Sequence, residues 1–152
     1  MTAVTILVGS MTGNAEFAAE EMQQVLQELG AEVEVVLMDE GTRPDVFRRP
    51  GVILVCTSTY GDGEVPENAK PLYGRLCDEK PDLAGLRYGV FGLGDSNYET
   101  FNFGGQKFDE ILSSLGAERL GERSKHDAQG EVTAWELARD WVKKWSDDHL
   151  KG

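Results

Sequence analysis

The sequence has little cysteine, histidine or positive charge, and no long apolar run. Its two cysteines, Cys56 and Cys77, form no CxxC pair and have no His-rich neighbourhood. A structural zinc site or a disulfide scaffold is therefore not expected, and buried thiols in a reducing cytoplasm are. Neither His126 nor His149 has a second metal ligand nearby in sequence, so no metal is expected. Lys and Arg total 15 against 27 Asp and Glu, a formal charge of −12 over 152 residues. A net anion has no general attraction for nucleic acid or for an anionic membrane surface. No stretch approaches the roughly 18 apolar residues of a membrane helix. The start, MTAVTILVGS, lacks a basic n-region and reads as a strand rather than a signal peptide.

What is present is enough for one domain with a real core, since chains of roughly 100–200 residues usually form one, and 40% of the residues are hydrophobic. The segments alternate. Val4–Val8 reads as a buried strand and residues 14–29 as a helix with Ala18, Met22, Val25, Leu26 and Leu29 on one face, stopping at Gly30. Glu32–Met38 alternates as a second strand, and residues 43–50 allow a turn or two of helix. The run GVILVC at 51–56 is apolar throughout, as in a parallel strand covered on both faces. A helix at 67–79 follows, with Pro71 near its start or at a kink. A strand at 87–91, a helix marked by Phe108, Ile111, Leu112 and Leu115, a short strand at 118–120 and a helix at 132–150 complete the chain. In that last helix Trp135, Trp141, Val142 and Trp145 are expected to pack inward. The pattern predicts an open α/β doubly wound sheet of five parallel strands with helices on both faces. Ligands of such sheets bind at the carboxyl ends of the strands.

Three loops lie there. Ser10-Met11-Thr12-Gly13-Asn14-Ala15 leaves the first strand and opens a helix. Its hydroxyls and free N–H groups can hold a phosphate without lysine, although Ser10 or Thr12 can equally serve as an ordinary N-cap. It is not GxxxxGK[ST], which removes the main support for nucleotide hydrolysis. The second loop, from Thr57-Ser58-Thr59-Tyr60-Gly61 to Asp62-Gly63-Glu64, sets an aromatic beside glycines. That suits the face and edge of a flat ring, or a tight turn with an exposed tyrosine. The third, from Gly92 through Leu93-Gly94-Asp95-Ser96-Asn97-Tyr98-Glu99-Thr100-Phe101-Asn102, supplies a second aromatic. Together the loops suit a planar ring that carries a phosphate on a spacer.

SMTGNA, STYGDGEVPENA and GLGDSNYETFN, in that order, make the sequence similar to the flavodoxin family. It resembles the short-chain type, the FMN domains of cytochrome P-450 reductase and sulfite reductase flavoprotein, and small flavodoxins of the cindoxin kind. The resemblance covers essentially the whole chain. It implies strand order 2-1-3-4-5 and FMN as cofactor. Ser10 to Ala15 would hold the phosphate. Ser58 to Gly61 would lie along the ring, with Tyr60 on one face. Leu93 to Asn102 would close the other side, with Tyr98 stacked. Asp127 is the best match for a later acid of the family. Met11 and Asn14 replace commoner polar residues of the phosphate loop.

The implied activity is one-electron carriage through a neutral semiquinone, with the Gly61 carbonyl accepting a hydrogen bond from N5 after a peptide flip. The resemblance makes the chain an electron-transfer flavoprotein without substrate chemistry of its own, monomeric and cytoplasmic. Asp62, Glu64, Glu67, Asp95 and Glu99 would form an acidic rim. That rim would steer the basic surfaces of a donor flavoprotein or ferredoxin-type reductase and of an acceptor haem or metalloenzyme, such as a haem monooxygenase. Two other functions share the same sheet: an FMN-dependent quinone or azo reductase, and a protein-interaction module without FMN.

Overall fold

The apolar runs form the sheet they suggest. The computed structural model describes residues 3–10, 13–49, 51–59, 65–94 and 102–150. Strands β1 (Ala3–Gly9), β2 (Glu32–Leu37), β3 (Val52–Ser58) and β4 (Arg87–Gly94) pair in parallel in the order β2-β1-β3-β4. The fifth position is filled by two short segments, β5 (Glu118–Arg119) and β6 (Ser124–Asp127), both parallel to β4. Among the described residues three α-helices join the strands, α1 (Asn14–Glu28), α2 (Lys70–Glu79) and α3 (Phe103–Ser114), and α4 (Ala134–His149) follows the last. The predicted order and class hold.

The core has two halves because successive strand residues face opposite sides. Ile6, Val8, Leu54, Cys56 and Phe91 pack against Ala18, Met22 and Leu26 of α1 and Ala138, Val142 and Trp145 of α4. Leu7, Ile53, Val55 and Val90 pack against Leu72 and Leu76 of α2 and Phe108 and Leu112 of α3. A strand covered on both faces has no polar side to show, which is why 52–56 reads as continuous hydrophobe. Burial raises the pKa of the Cys56 thiol far above its ordinary value of 9.0.

The corrections are local. Leu29 is exposed and caps α1 instead of packing, and Leu37 is exposed on edge strand β2. Helix α2 begins at Lys70, with a turn at 67–69, so Pro71 sits in the first turn, where its missing N–H costs nothing. Strands β3 and β4 run two and three residues past their expected ends, to Ser58 and Gly94. Helix α4 begins at Ala134, behind Thr133, whose Oγ1 accepts from the Glu136 N–H at 3.2 Å. Trp135 is 39% exposed, whereas Trp145 is buried and Trp141 stacks on it, so only part of the tryptophan set packs inward.

The polar segment Ser124–Asp127, expected as loop, is the largest difference. It is a strand because Phe91–Gly94 of β4 offers it a partner edge. The break between β5 and β6 is held from both faces. From α4, Trp145 Nε1 donates to the Leu120 carbonyl at 2.8 Å. From α3, Asp109 accepts from Arg123 at 2.8 Å and pairs with Arg119. Its other oxygen accepts from the Tyr88 hydroxyl at 2.6 Å. Burial first, and this hydrogen bond second, push the Tyr88 pKa well above the phenol range.

Candidate functional site

The parallel register brings the strand ends to one edge. Gly9 lies opposite Thr57, Ser58 opposite Leu93, and Gly94 opposite Asp127. All three candidate loops and Asp127 therefore leave the same edge of the sheet.

In the first loop the Gly13 N–H donates to Ser10 Oγ at 2.9 Å, folding the chain back before α1. Gly13 is left-handed (φ 88°), and a Cβ there would meet nothing within 4 Å. Among the described residues no side chain caps α1. No described side chain takes its first N–H groups, and the helix end carries partial positive charge. Of the two readings of this loop, the ordinary N-cap is not the one adopted by Ser10, which binds Gly13 instead. An uncapped helix start beside an open left-handed glycine fits a phosphate. Ala15 is buried, and its carbonyl accepts from Cys56 Sγ at 3.3 Å, which seats the helix start on the sheet. The loop is fastened to its neighbour by the Ser10 N–H, which donates to Asn68 Oδ1 at 3.1 Å. Asn68 stands in the motif STYGDGEVPENA, but its spacing gives no sign of this bond.

Ser58 and Thr59 are clamped between β4 and α3. The Thr59 N–H donates to the Leu93 carbonyl at 3.0 Å, and Thr59 Oγ1 accepts from the Gly104 N–H at 2.9 Å. A Cβ on Gly104 would lie 2.3 Å from the Ser58 carbonyl oxygen, so only glycine permits this approach. Asn102, the residue before α3, is 1% exposed and left-handed (φ 58°). Its Nδ2 donates to the His126 carbonyl at 3.1 Å, tying the third loop to β6, while its Oδ1 accepts no hydrogen bond from any described residue. A buried orphan acceptor is costly in a protein interior, and this one lies at the end of the third loop. The Gly94 carbonyl accepts from the Ala128 N–H at 2.8 Å. Asp127 Oδ1 accepts from the Gln129 N–H at 2.9 Å, so part of its carboxylate shapes the following turn.

The site residues Ser10, Gly13, Asn14, Ala15, Ser58, Thr59, Leu93, Gly94, Asn102 and Asp127 thus share one edge. Met11, Thr12, Tyr60, Gly61, Asp95, Ser96, Asn97, Tyr98, Glu99, Thr100 and Phe101 lie outside the described residues, as do Asp62 and Glu64 of the rim. Glu67 of the rim is exposed and pairs with Lys70 at 3.0 Å.

An open parallel sheet of this order, with a lysine-free anion cradle after its first strand, defines the class of doubly wound nucleotide-phosphate binders. Comparison with known proteins narrows the class. The flavodoxin family model matches residues 6–145, and the chain belongs to the flavodoxin family. It is 38% identical over 147 residues to the flavodoxin YqcA of Pectobacterium carotovorum, covering 97% of both chains. It is 32% identical over 145 residues to the protein MioC of Escherichia coli K12, covering 95% of this chain and 97% of that one. It is also 39% identical over 135 residues to a sulfite reductase flavoprotein alpha-component of Vibrio cholerae, 87% of this chain but 22% of that one. Among solved structures, a point mutant of flavodoxin from Pseudomonas aeruginosa superposes with a TM-score of 0.84 at 35% identity, covering 99% of this chain and 100% of that one. Flavodoxins bind FMN and are electron carriers rather than substrate-converting enzymes.

Proposed function

We propose that the chain is a diffusible FMN shuttle that takes single electrons from a donor flavoprotein or ferredoxin-type reductase and delivers them to a haem or metalloenzyme acceptor. What supports this reading is the convergence, on one sheet edge, of an uncapped helix start, a glycine-permitted close approach at Gly104 and the orphaned Asn102 acceptor. FMN, when bound, supplies the one-electron chemistry. The chain's own groups supply the hold. The N–H groups at Asn14–Glu16 and the Ser10–Gly13 turn would hold the phosphate, with backbone dipoles in place of lysine. Ser58 to Gly61 would lie along the ring and Leu93 to Asn102 would close the other side, with Tyr60 and Tyr98 as the stacking aromatics that the family resemblance implies. Asp127 would contact the ring or ribityl region.

The acids Asp62, Glu64, Glu67, Asp95 and Glu99 would form a rim near the ring. On a chain of net charge −12, they would steer basic partners and disfavour added negative charge on the cofactor. The chain forms one FMN-binding unit and works as a cytoplasmic monomer. No helix among the described residues is long and apolar enough to cross a membrane.

The test is direct. The purified protein should be yellow, release one FMN per chain on denaturation, and pass electrons from a reductase to a haem protein at rates that fall as salt rises. A colourless protein that resists FMN reconstitution, or one that oxidises NADPH unaided, would refute the reading.

A further inference from the structure

Among the described residues, six large hydrophobic side chains are exposed, and three of them share one place. Phe17 of α1 (49% exposed), Val132 (48%) and Trp135 of α4 (39%) line a single open groove of about 360 Å³ beside the three-loop edge. Asn14, next to the candidate phosphate cradle, lines it too. The groove is built rather than accidental. His126 Nε2 lies 2.8 Å from the Val132 carbonyl, which fixes the turn that presents Val132. One helical turn below Phe17 and Trp135, Glu21 and Arg139 pair at 2.7 Å and hold α1 and α4 side by side. Large apolar side chains that share a groove mark an interaction surface more often than scattered ones do.

Local charge says what covers it. Glu131 lines the groove, and Glu16, Glu20 and Glu136 lie within one turn of Phe17 or Trp135. None of these four makes an ion pair among the described residues, while the cation at the lower end, Arg139, is already held by Glu21. Lys125 neighbours His126 in β6, so its side chain faces the opposite side of the sheet. A second copy seated here would bring these acids against their own images, with −12 facing −12. Like-charge juxtaposition of this kind suppresses association.

We infer that the groove is a lateral anchor for redox-partner proteins whose contact face carries an apolar protrusion ringed by lysine or arginine. It holds such a partner beside the three-loop edge and leaves that edge open. The inference rests on the shuttle reading, since it names how a partner of that shuttle binds.

The test uses the FMN-loaded, ¹⁵N-labelled chain titrated with cytochrome c, a basic haem protein. Amide shifts should concentrate at 13–20 and 130–136 at low salt and vanish at high salt. The double variant Phe17→Ser/Trp135→Ser should bind about tenfold more weakly, as loss of an interface anchor does. Leu37→Ser, which removes an equally exposed apolar side chain from the far edge, should bind as the parent does. Both variants should stay folded and keep their FMN, with only a modest fall in Tm, because the side chains removed are only partly buried. Shifts confined to the acidic rim at 62–67 and 95–99, or equal weakening by Leu37→Ser, would overturn the inference. So would a self-association abolished by the double variant, seen by sedimentation. Yellow colour separates the two readings. Colour retained with docking lost in the double variant bears on the groove, whereas a parent chain that cannot hold FMN defeats the shuttle reading instead.

Discussion

Asp109→Asn is the substitution whose cost follows most directly from the structure. The carboxylate is buried and serves three donors: Tyr88 at 2.6 Å, Arg123 at 2.8 Å, and Arg119. An asparagine keeps one acceptor oxygen but turns an NH₂ toward groups that are all donors. The Arg119 side chain is 40% exposed and regains water when released, so its share is small, about 0–1 kcal/mol. The Arg123 side chain is only 15% exposed and is left as a buried charge without a counter-ion. Removing one partner of such a pair costs about 3–5 kcal/mol. For a chain of this length that lowers Tm by roughly 6–20 °C. Urea unfolding at neutral pH, with the slope m unchanged, measures the cost. The double variant Asp109→Asn/Arg123→Gln should recover a large part of it, because the stranded charge is gone. Because Arg123 leads into β6, whose His126 carbonyl holds Asn102, FMN affinity should fall alongside stability. A loss below about 1 kcal/mol, or strictly additive single variants, would refute the claim that this carboxylate holds the broken fifth strand.

Other positions give sharper local readouts. Gly104→Ala places a Cβ 2.3 Å from the Ser58 carbonyl oxygen. It should cost about 1–3 kcal/mol and weaken FMN binding more than any other α3 substitution, checked by flavin fluorescence titration. Ser10→Ala removes the acceptor for the Gly13 N–H. FMN Kd should rise about two- to tenfold, the worth of one net hydrogen bond, while riboflavin, lacking the phosphate, should bind parent and variant alike. Above pH 9 the unfolded Cys56 thiol ionises but the buried folded one does not, so the unfolded state holds fewer protons and stability falls as pH rises. Cys56→Ala should remove up to about 1.4 kcal/mol per pH unit of that decline, read from urea midpoints between pH 8 and 11. The native thiol titre with an aromatic disulfide reagent should be one, from half-buried Cys77.

Much of the molecule could be read from local pattern. Buried parallel strands have no polar side, so 52–56 and 87–91 declared themselves, and with the helical periodicities of α1 and α3 they imposed a doubly wound sheet. The loop motifs marked the edge that carries the candidate site, because glycines and hydroxyls clustered where strands ended. Other features depend on partners distant in sequence. Ser-Lys-His-Asp at 124–127 has no strand pattern of its own and pairs because Phe91–Gly94 presents an open edge. Asn68 looks like any motif residue until the Ser10 N–H is found on it, 58 positions away. Trp135 and Trp145 share a helix and a periodicity, yet one is buried against Leu120 and the other lies open beside Phe17.

The sequence by itself therefore determined the class of fold, the edge that carries the candidate site and the sign of the chain's net charge, since each follows from periodicity, loop chemistry and composition. Tertiary structure alone decided how the fifth strand breaks, which hydrogen bonds clamp the loops together and which apolar residues stay exposed. Those outcomes depend on which surfaces meet after folding, and burial and hydrogen-bond satisfaction are properties of that meeting rather than of any local segment.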